Sequence, residues 1–256
     1  MVNSAEIAGK VLYQDERHSV IWLGTDEKEN EGVVQTNQYL VVDGGKAALI
    51  DPGGVHLFAR VVSAISRHVE LDKIEMVTFS HQDPDVSSGI ALWMGVTKAR
   101  VYISSLWMRF LPHFGIVDLS RITPIEGSGR SLPLNLRFVP AHFLHSPGNW
   151  CVYDPISKII FSGDIGAAVF PNGGQYVMVD DFEAHKKLID GFHKRVMASN
   201  KAVQAWLRSI AGLDIDMIAP QHGAIFPREA AVKFLAWLKT LECGVDRIDE
   251  INRSGA

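Results

Sequence analysis

Cysteine is nearly missing from this chain of 256 residues: Cys151 and Cys243 are the whole complement. They form no CxxC pair and no disulfide framework, which excludes a disulfide-stapled fold and fits a reducing, cytoplasmic setting. No apolar run approaches the ~20 residues that span a bilayer; Ile90 to Val96 and Ile165 to Phe170 are among the longest. The opening MVNSAEIAGKVLYQDERHSV has no basic leader followed by an apolar core, so no signal peptide is expected. Basic runs are missing too. With 25 Lys and Arg against 29 Asp and Glu the net charge is −4, which argues against nucleic acid and anionic membrane as partners. No repeat, low-complexity tract or linker interrupts the chain. What is there is globular: 47% hydrophobic and 21% charged residues rule out disorder as the main state. A chain of this length buries roughly three quarters of its unfolded surface without staples, and it reads as one domain, 1–256.

The first third reads as paired strands. Ser19–Leu23 is a short apolar run, followed by an acidic loop from Thr25 to Glu31. Gln38–Val42 and Lys46–Ile50 flank Asp43-Gly44-Gly45, a hairpin signal, and Asp51-Pro52-Gly53-Gly54 ends the second strand. Leu57, Val61, Val62, Ile65 and His68 fall at helical spacing over 55–69. Ile74–Ser80 is a β-rich run, 88–95 a helix, Arg100–Ile103 a strand and Leu106–Phe114 an apolar helix. Strands return at 134–140, 150–153 and 158–162. Residues 182–211 are helical by pattern, Ile215–Ala219 is a strand, and a final helix covers 228–242. Strands and helices alternate in both halves, which predicts an α/β fold with two sheets enclosed by helices.

Histidine and aspartate collect where these strands end. Ser80-His81-Gln82-Asp83-Pro84-Asp85-Val86-Ser87-Ser88-Gly89 follows one strand, with metal-capable groups at alternate positions of a loop stiffened by Pro84. The others are Phe143-Leu144-His145-Ser146-Pro147-Gly148, Phe161-Ser162-Gly163-Asp164 and Ala219-Pro220-Gln221-His222-Gly223. Each is weak alone. Four such clusters, each abutting an apolar strand, predict a site built on strand-end loops.

This arrangement resembles the metallo-β-lactamase superfamily, an αββα four-layer sandwich with a two-metal site at one edge of its sheets. The usual H-x-H-x-D-H motif carries Asp83 in place of its second His and Val86 in place of its last. An acid at that second position is similar to the flavodiiron branch, H-x-E-x-D-H, which uses non-haem iron. The segment FVPAHFLHSPGNWCVYDPISKIIFSGDIGAAVF (Phe138–Phe170) and Gln221-His222-Gly223 carry the rest of the resemblance. It implies His81, Asp83 and His145 on one iron, Asp85 and His222 on a second, and Asp164 as the bridge. The remaining iron-two ligand falls on Val86, which cannot bind metal, so the chain also resembles the flavin-free oxygen-binding diiron proteins. A homodimer is implied by the same resemblance. No Gly/Thr-rich phosphate loop follows a strand and there is no rubredoxin-like Cys pair, so no FMN is expected in this chain. Electrons would come from an external donor.

Three His and three Asp without thiolate suit two iron ions, with zinc or manganese as alternatives. Two divalent ions bring four charges and three Asp remove three, so the site keeps about one positive charge and favours a bound anion. An open position beside Val86, facing apolar side chains, suits dioxygen or nitric oxide. The leading expectation is an oxygen-binding diiron protein, acting as an oxygen sensor with a signalling partner or as a slow reductase. The alternative is a two-metal hydrolase acting on an ester, thioester or phosphodiester; a third is a metal-stabilised interaction module using Leu106–Phe114. His142 is expected on the opposite strand face from His145. His18, His56, His68, His113, His185 and His193 read as surface, Trp150 and Tyr153 as packing, Asn149 and Tyr176 as donors behind the ligands, and Gly127-Ser128-Gly129 as a turn.

Overall fold

Alternation along the strands decides the layering. On β2 (His18–Trp22), Val20 and Trp22 join one apolar cluster while Ile21 joins another. On β3 (Tyr39–Asp43) and β4 (Lys46–Ile50), Tyr39, Val41, Ala48 and Ile50 face the first cluster, and Leu40, Ala47 and Leu49 face the second. A strand that reads as continuously apolar is therefore one with both faces covered. The computed structural model describes residues 9–24, 35–127, 132–171 and 176–254. The acidic stretch Thr25–Glu31 and most of the Gly127–Gly129 turn lie outside the described residues.

One sheet runs in chain order: β1 (Lys10–Gln14), β2, β3, β4, β5 (Ile74–Thr78), β6 (Arg100–Ser104) and β7 (Ile122–Ile125). Its first four strands are antiparallel neighbours and its last four parallel. The second sheet combines β8 (Arg137–Pro140), β9 (Trp150–Asp154), β10 (Ile159–Gly163), β11 (Met217–Pro220) and β12 (Phe226–Pro227) in the order β12-β11-β10-β9-β8, with only β10 and β11 parallel. Between the sheets, Trp22, Tyr39, Val41 and Met76 meet Phe138, Trp150, Val152 and Phe161. Outside the first sheet, α1 (Phe58–Ile65), α2 (Pro84–Ser87) and α3 (Ile90–Val96) contribute Val61, Ile65, Val86, Ile90 and Trp93. Outside the second, α4 (Phe182–Val196), α5 (Asn200–Ile210) and α6 (Arg228–Lys239) contribute Ile189, Val203, Trp206 and Phe234. The result is the expected αββα four-layer sandwich. A short α7 (Ile248–Ser254) follows. Among the described residues no helix is long and apolar enough to cross a membrane.

Several local expectations need correction. The helical stretch 182–211 is two helices, because Met197 is extended and Ser199 caps α5, its side chain accepting from the Ala202 N–H. Leu106–Phe114 belongs to a 3-10 segment, Ser105–Phe114, that contains Pro112 and closes at left-handed Gly115 (φ 79°). Residues 133–135 form a 3-10 turn before β8 instead of its first part. Strands β1 and β7 were not anticipated. His18 is not a surface residue: at 2% exposure it pairs with the buried Asp154 at 2.7 Å, linking β2 of one sheet to β9 of the other.

Candidate metal centre

The carboxyl end of β5 is pinned from both sides. The Ser80 N–H donates to Asp51 Oδ1 at 2.7 Å, and the Ser80 carbonyl accepts from the Trp150 N–H at 3.0 Å. This fixes His81 at the seam of the two sheets, 1% exposed. Burial pushes the Asp51 carboxyl up to about 6, against the lowering effect of its Ser80 bonds. The next residues are not the loop expected from sequence. Asp83 is the extended N-cap of α2, with Pro84 in the first turn where its missing N–H costs nothing. Asp83 and Asp85 thus leave the same short turn of helix.

The other three residues come from the second sheet. His145 sits in the loop between β8 and β9, held where the Phe143 N–H donates to the Ser146 carbonyl at 2.7 Å. Asp164 follows β10, whose last residue, Gly163, receives the Gln221 N–H at 2.7 Å. His222 follows β11. Gly223 next to it has φ 82°, and a Cβ there would lie 2.5 Å from Ala168 Cβ, so only glycine lets the His222 turn close against the Asp164 turn. Asn37 ties the same turn to the first sheet, donating to the Pro220 and Gly223 carbonyls at 2.9 Å each.

The six side chains meet at one seam. His145 Nε2 lies 3.2 Å from Asp83 Oδ2 and 2.9 Å from Asp164 Oδ2; His81 Nε2 lies 3.7 and 3.8 Å from the same oxygens. His222 Nε2 lies 3.2 Å from Asp85 Oδ2 and 3.5 Å from Asp164 Oδ1. The two oxygens of Asp164 therefore face two different sets. His81, Asp83 and His145 place one donor atom each within 4.8 Å of one another. The ring orientations are fixed from behind: His81 Nδ1 meets Ser80 Oγ at 2.9 Å, and His222 Nδ1 donates to the Gln35 carbonyl at 2.8 Å, leaving both Nε2 atoms for the centre.

Electrostatics follow from the mixture. Burial would lower the His145 imidazole, but bonds to Asp164 and Asp83 overcome it and raise it to about 10. Burial likewise opposes His222, which Asp85 and Asp164 raise to about 9. Burial pushes Asp164 up, and the imidazoles of His81, His145 and His222 pull it far below the usual carboxylate range. The protons that His145 and His222 hold against these carboxylates are ones that a cation would displace. The residues fit a metal pair on another count. His81 Nε2 and Asp164 Oδ1 are buried polar atoms without a hydrogen-bond partner, a costly arrangement that a metal relieves.

His142 stays out of this centre. It lies in the β8–β9 loop and not on a strand, is exposed, and stacks edge-on against Trp150 with ring centroids 5.0 Å apart. Trp150 and Tyr153 are buried packing residues. Asn149 is fully buried beside Gly163, and Tyr176 bonds His185 Nδ1 at 2.7 Å. His56, His68 and His113 are exposed as expected, but His185 and His193 are fully buried. The Gly166 N–H donates to His193 Nε2 at 2.9 Å and His193 Nδ1 donates to the Ile189 carbonyl at 2.8 Å, so α4 holds the turn that carries Asp164. Sequence reasoning also passed over Gln82 and Gln221. Gln82 donates to Asp83 Oδ1 at 2.9 Å and accepts from Ser146 Oγ at 2.6 Å; Gln221 donates to Asp85 Oδ2 at 3.4 Å. Their place beside ligand candidates in two of the four clusters was the available signal.

A family described as ODP family beta lactamase matches residues 34–223. The chain belongs to this family. The match takes in all six residues of the centre. Within the ODP family, the apo state of the chemotaxis sensor ODP from T. denticola superposes with a TM-score of 0.84 at 55% identity, covering 95% of this chain and 98% of that one. A structure described as the peroxy diiron species of chemotaxis sensor ODP gives 0.83 and 54%, covering 95% and 99%. The type A flavoprotein fprA of Rhodobacter capsulatus is 24% identical over 197 residues, 74% of this chain and 44% of the relative. The chain spans about half the length of the curated relatives it matches.

Proposed function

We propose that this chain is a non-haem diiron protein that binds dioxygen or nitric oxide and serves as an oxygen sensor. The observation that carries the reading is Asp164, whose two carboxylate oxygens face separate ligand sets at 2.9 Å (His145) and 3.5 Å (His222). His81, Asp83 and His145 would hold one iron, Asp85 and His222 the other, and Asp164 would bridge them. A ferrous pair, when bound, supplies the electrons that dioxygen binding draws on. The donor set of imidazole and carboxylate without thiolate suits iron, and the description of the similar sensor as a diiron species supports that metal.

Val86 sets the character of the second half. It is fully buried with Ile90 and Trp93 and offers no donor atom, so that half has fewer ligands than the first. The vacancy favours a small neutral ligand over a bulky ester. Valine also supplies no proton, which suits holding the ligand over reducing it. Electrons to reset the centre come from an external donor, and a signalling partner reads its state. The test is to purify the protein without air, load it with ferrous iron and add dioxygen. Two irons per chain and a new long-lived visible absorption band are expected. A protein that shows no band yet briskly cleaves a generic phosphodiester or thioester is a hydrolase, and the reading falls.

A further inference from the structure

The two glutamines beside the centre are not equivalent. Gln82 donates to Oδ1 of Asp83, the oxygen turned away from the imidazoles, and leaves Oδ2 facing His145 and His81. Its own carbonyl accepts from Ser146 Oγ, so it also locks Asp83 to the loop that carries His145. Gln221 donates instead to Oδ2 of Asp85, the oxygen that already faces His222. Gln221 is 1% exposed and its Oε1 is buried without a hydrogen-bond partner. The amide cannot be turned round, because Oε1 would then confront a carboxylate that only accepts. Gln221 thus keeps one unsatisfied buried acceptor beside its bond to Asp85.

We propose that Gln82 and Gln221 are positioning residues that divide the two metals between them, Gln82 holding Asp83 for the first and Gln221 holding Asp85 for the second. The assignment rests on the diiron reading above. A neutral amide suits the task. It fixes a carboxylate without cancelling its charge, so the oxygen keeps its donor strength, and it releases no proton at ordinary pH. Groups that hold a ligand from behind typically contribute 10–100-fold to metal affinity. Gln221 acts on the half with fewer protein ligands, so its removal is felt mainly in the second equivalent.

The experiment is an anaerobic titration of metal-free protein with ferrous iron, repeated with cobalt(II), whose visible bands report the geometry of each half. Wild type takes up two equivalents. Gln221→Met is expected to weaken the second equivalent at least ~10-fold and leave the first unchanged; Gln82→Met is expected to weaken the first and alter its cobalt bands. Circular dichroism of the metal-free variants checks folding. Should Gln221→Met fail to fold, Gln221→Asn, which keeps the polarity but loses the reach of one methylene, carries the same expectation. Variants that bind both equivalents like wild type, or that weaken both equally, overturn the assignment. A wild-type protein that takes fewer than two metals overturns the diiron reading itself, a different and separately visible failure.

Discussion

His193 on α4 and Gly166 on the Asp164 turn are joined by a hydrogen bond of 2.9 Å in which the imidazole is the acceptor. The other ring nitrogen donates to the Ile189 carbonyl, so the ring must be neutral to make both bonds. Burial lowers the His193 imidazole to about 4. Protonation would cost the bond to Gly166 and leave a cation inside an aromatic surround that includes Phe234 and Trp237.

The first prediction follows from the sign of that shift. Below pH 6.5 the unfolded imidazole takes a proton that folded His193 refuses until about pH 4, so the contribution of this residue to stability falls as pH drops through that window, by up to roughly 3 kcal/mol. Below pH 6.5 His145 and His222 do not oppose this, because their raised values keep their stabilisation complete there and lose it progressively between pH 6.5 and about 9 to 10. Urea unfolding of metal-free protein at pH 7 and pH 5 measures the slope. His193→Gln, which retains an acceptor, should remove the His193 share of the slope, leaving the parallel share of His185, also lowered to about 4, and the opposing share of Asp51; a slope identical to wild type would overturn the assignment.

Metal uptake should release protons. In the metal-free protein at neutral pH, His145 and His222 hold theirs, with values of about 10 and 9. Binding at Nε2 displaces both, so about two protons per chain should appear, and affinity should rise with pH until about 9 to 10. Calorimetry in buffers of differing ionisation enthalpy counts them. Uptake without proton release would mean that the imidazoles are not ligands.

Asp164→Ala should lose both metals, because it alone faces both sets. His142→Ala should lose neither, since the ring is exposed and stacked on Trp150. Metal analysis after gel filtration compares them. Loss of a metal in the His142 variant would show that the loop rearranges to bring this ring inward.

Val86→His tests the open position proposed for the second metal. Without metal, a polar ring would enter the cluster with Ile90 and Trp93 and destabilise the fold by roughly 1–3 kcal/mol. With metal, the ring gains a partner. The melting temperature should therefore drop in metal-free protein and recover on loading, with tighter binding of the second equivalent. Equal losses in both states would argue that the side chain at 86 points away from the centre.

The strands and the four clusters were legible because both are local signals: apolar runs of strand length, each followed by His or Asp. The buried histidines were not. Nothing near His18 in sequence announces Asp154, and His193 becomes an acceptor only because a turn 27 positions away presents the Gly166 N–H. Periodicity carries through the α4–α5 junction because apolar spacing continues there, while the break is made by Ser199 and by Asp246, which accepts from the Asn200 N–H at 2.6 Å. Leu106–Phe114 shows the opposite error: a helical apolar spacing around Pro112 that the backbone winds as 3-10. The glutamines were overlooked since an amide has no chemistry of its own to flag it.

The centre is divided by chain order. His81, Asp83 and Asp85 are synthesised with the first sheet; His145, Asp164 and His222 come from the second. A ribosome that has made the first half presents three donors with no bridge to join them. Each of the two ligand sets draws on both halves: the first needs His145 and Asp164, and the second also needs His222, which is in place only when β11 has docked. Loading of both metals therefore needs both halves of the fold. The last strand to join the parallel pair is also the step that completes the second set, so loading of both metals waits for β11.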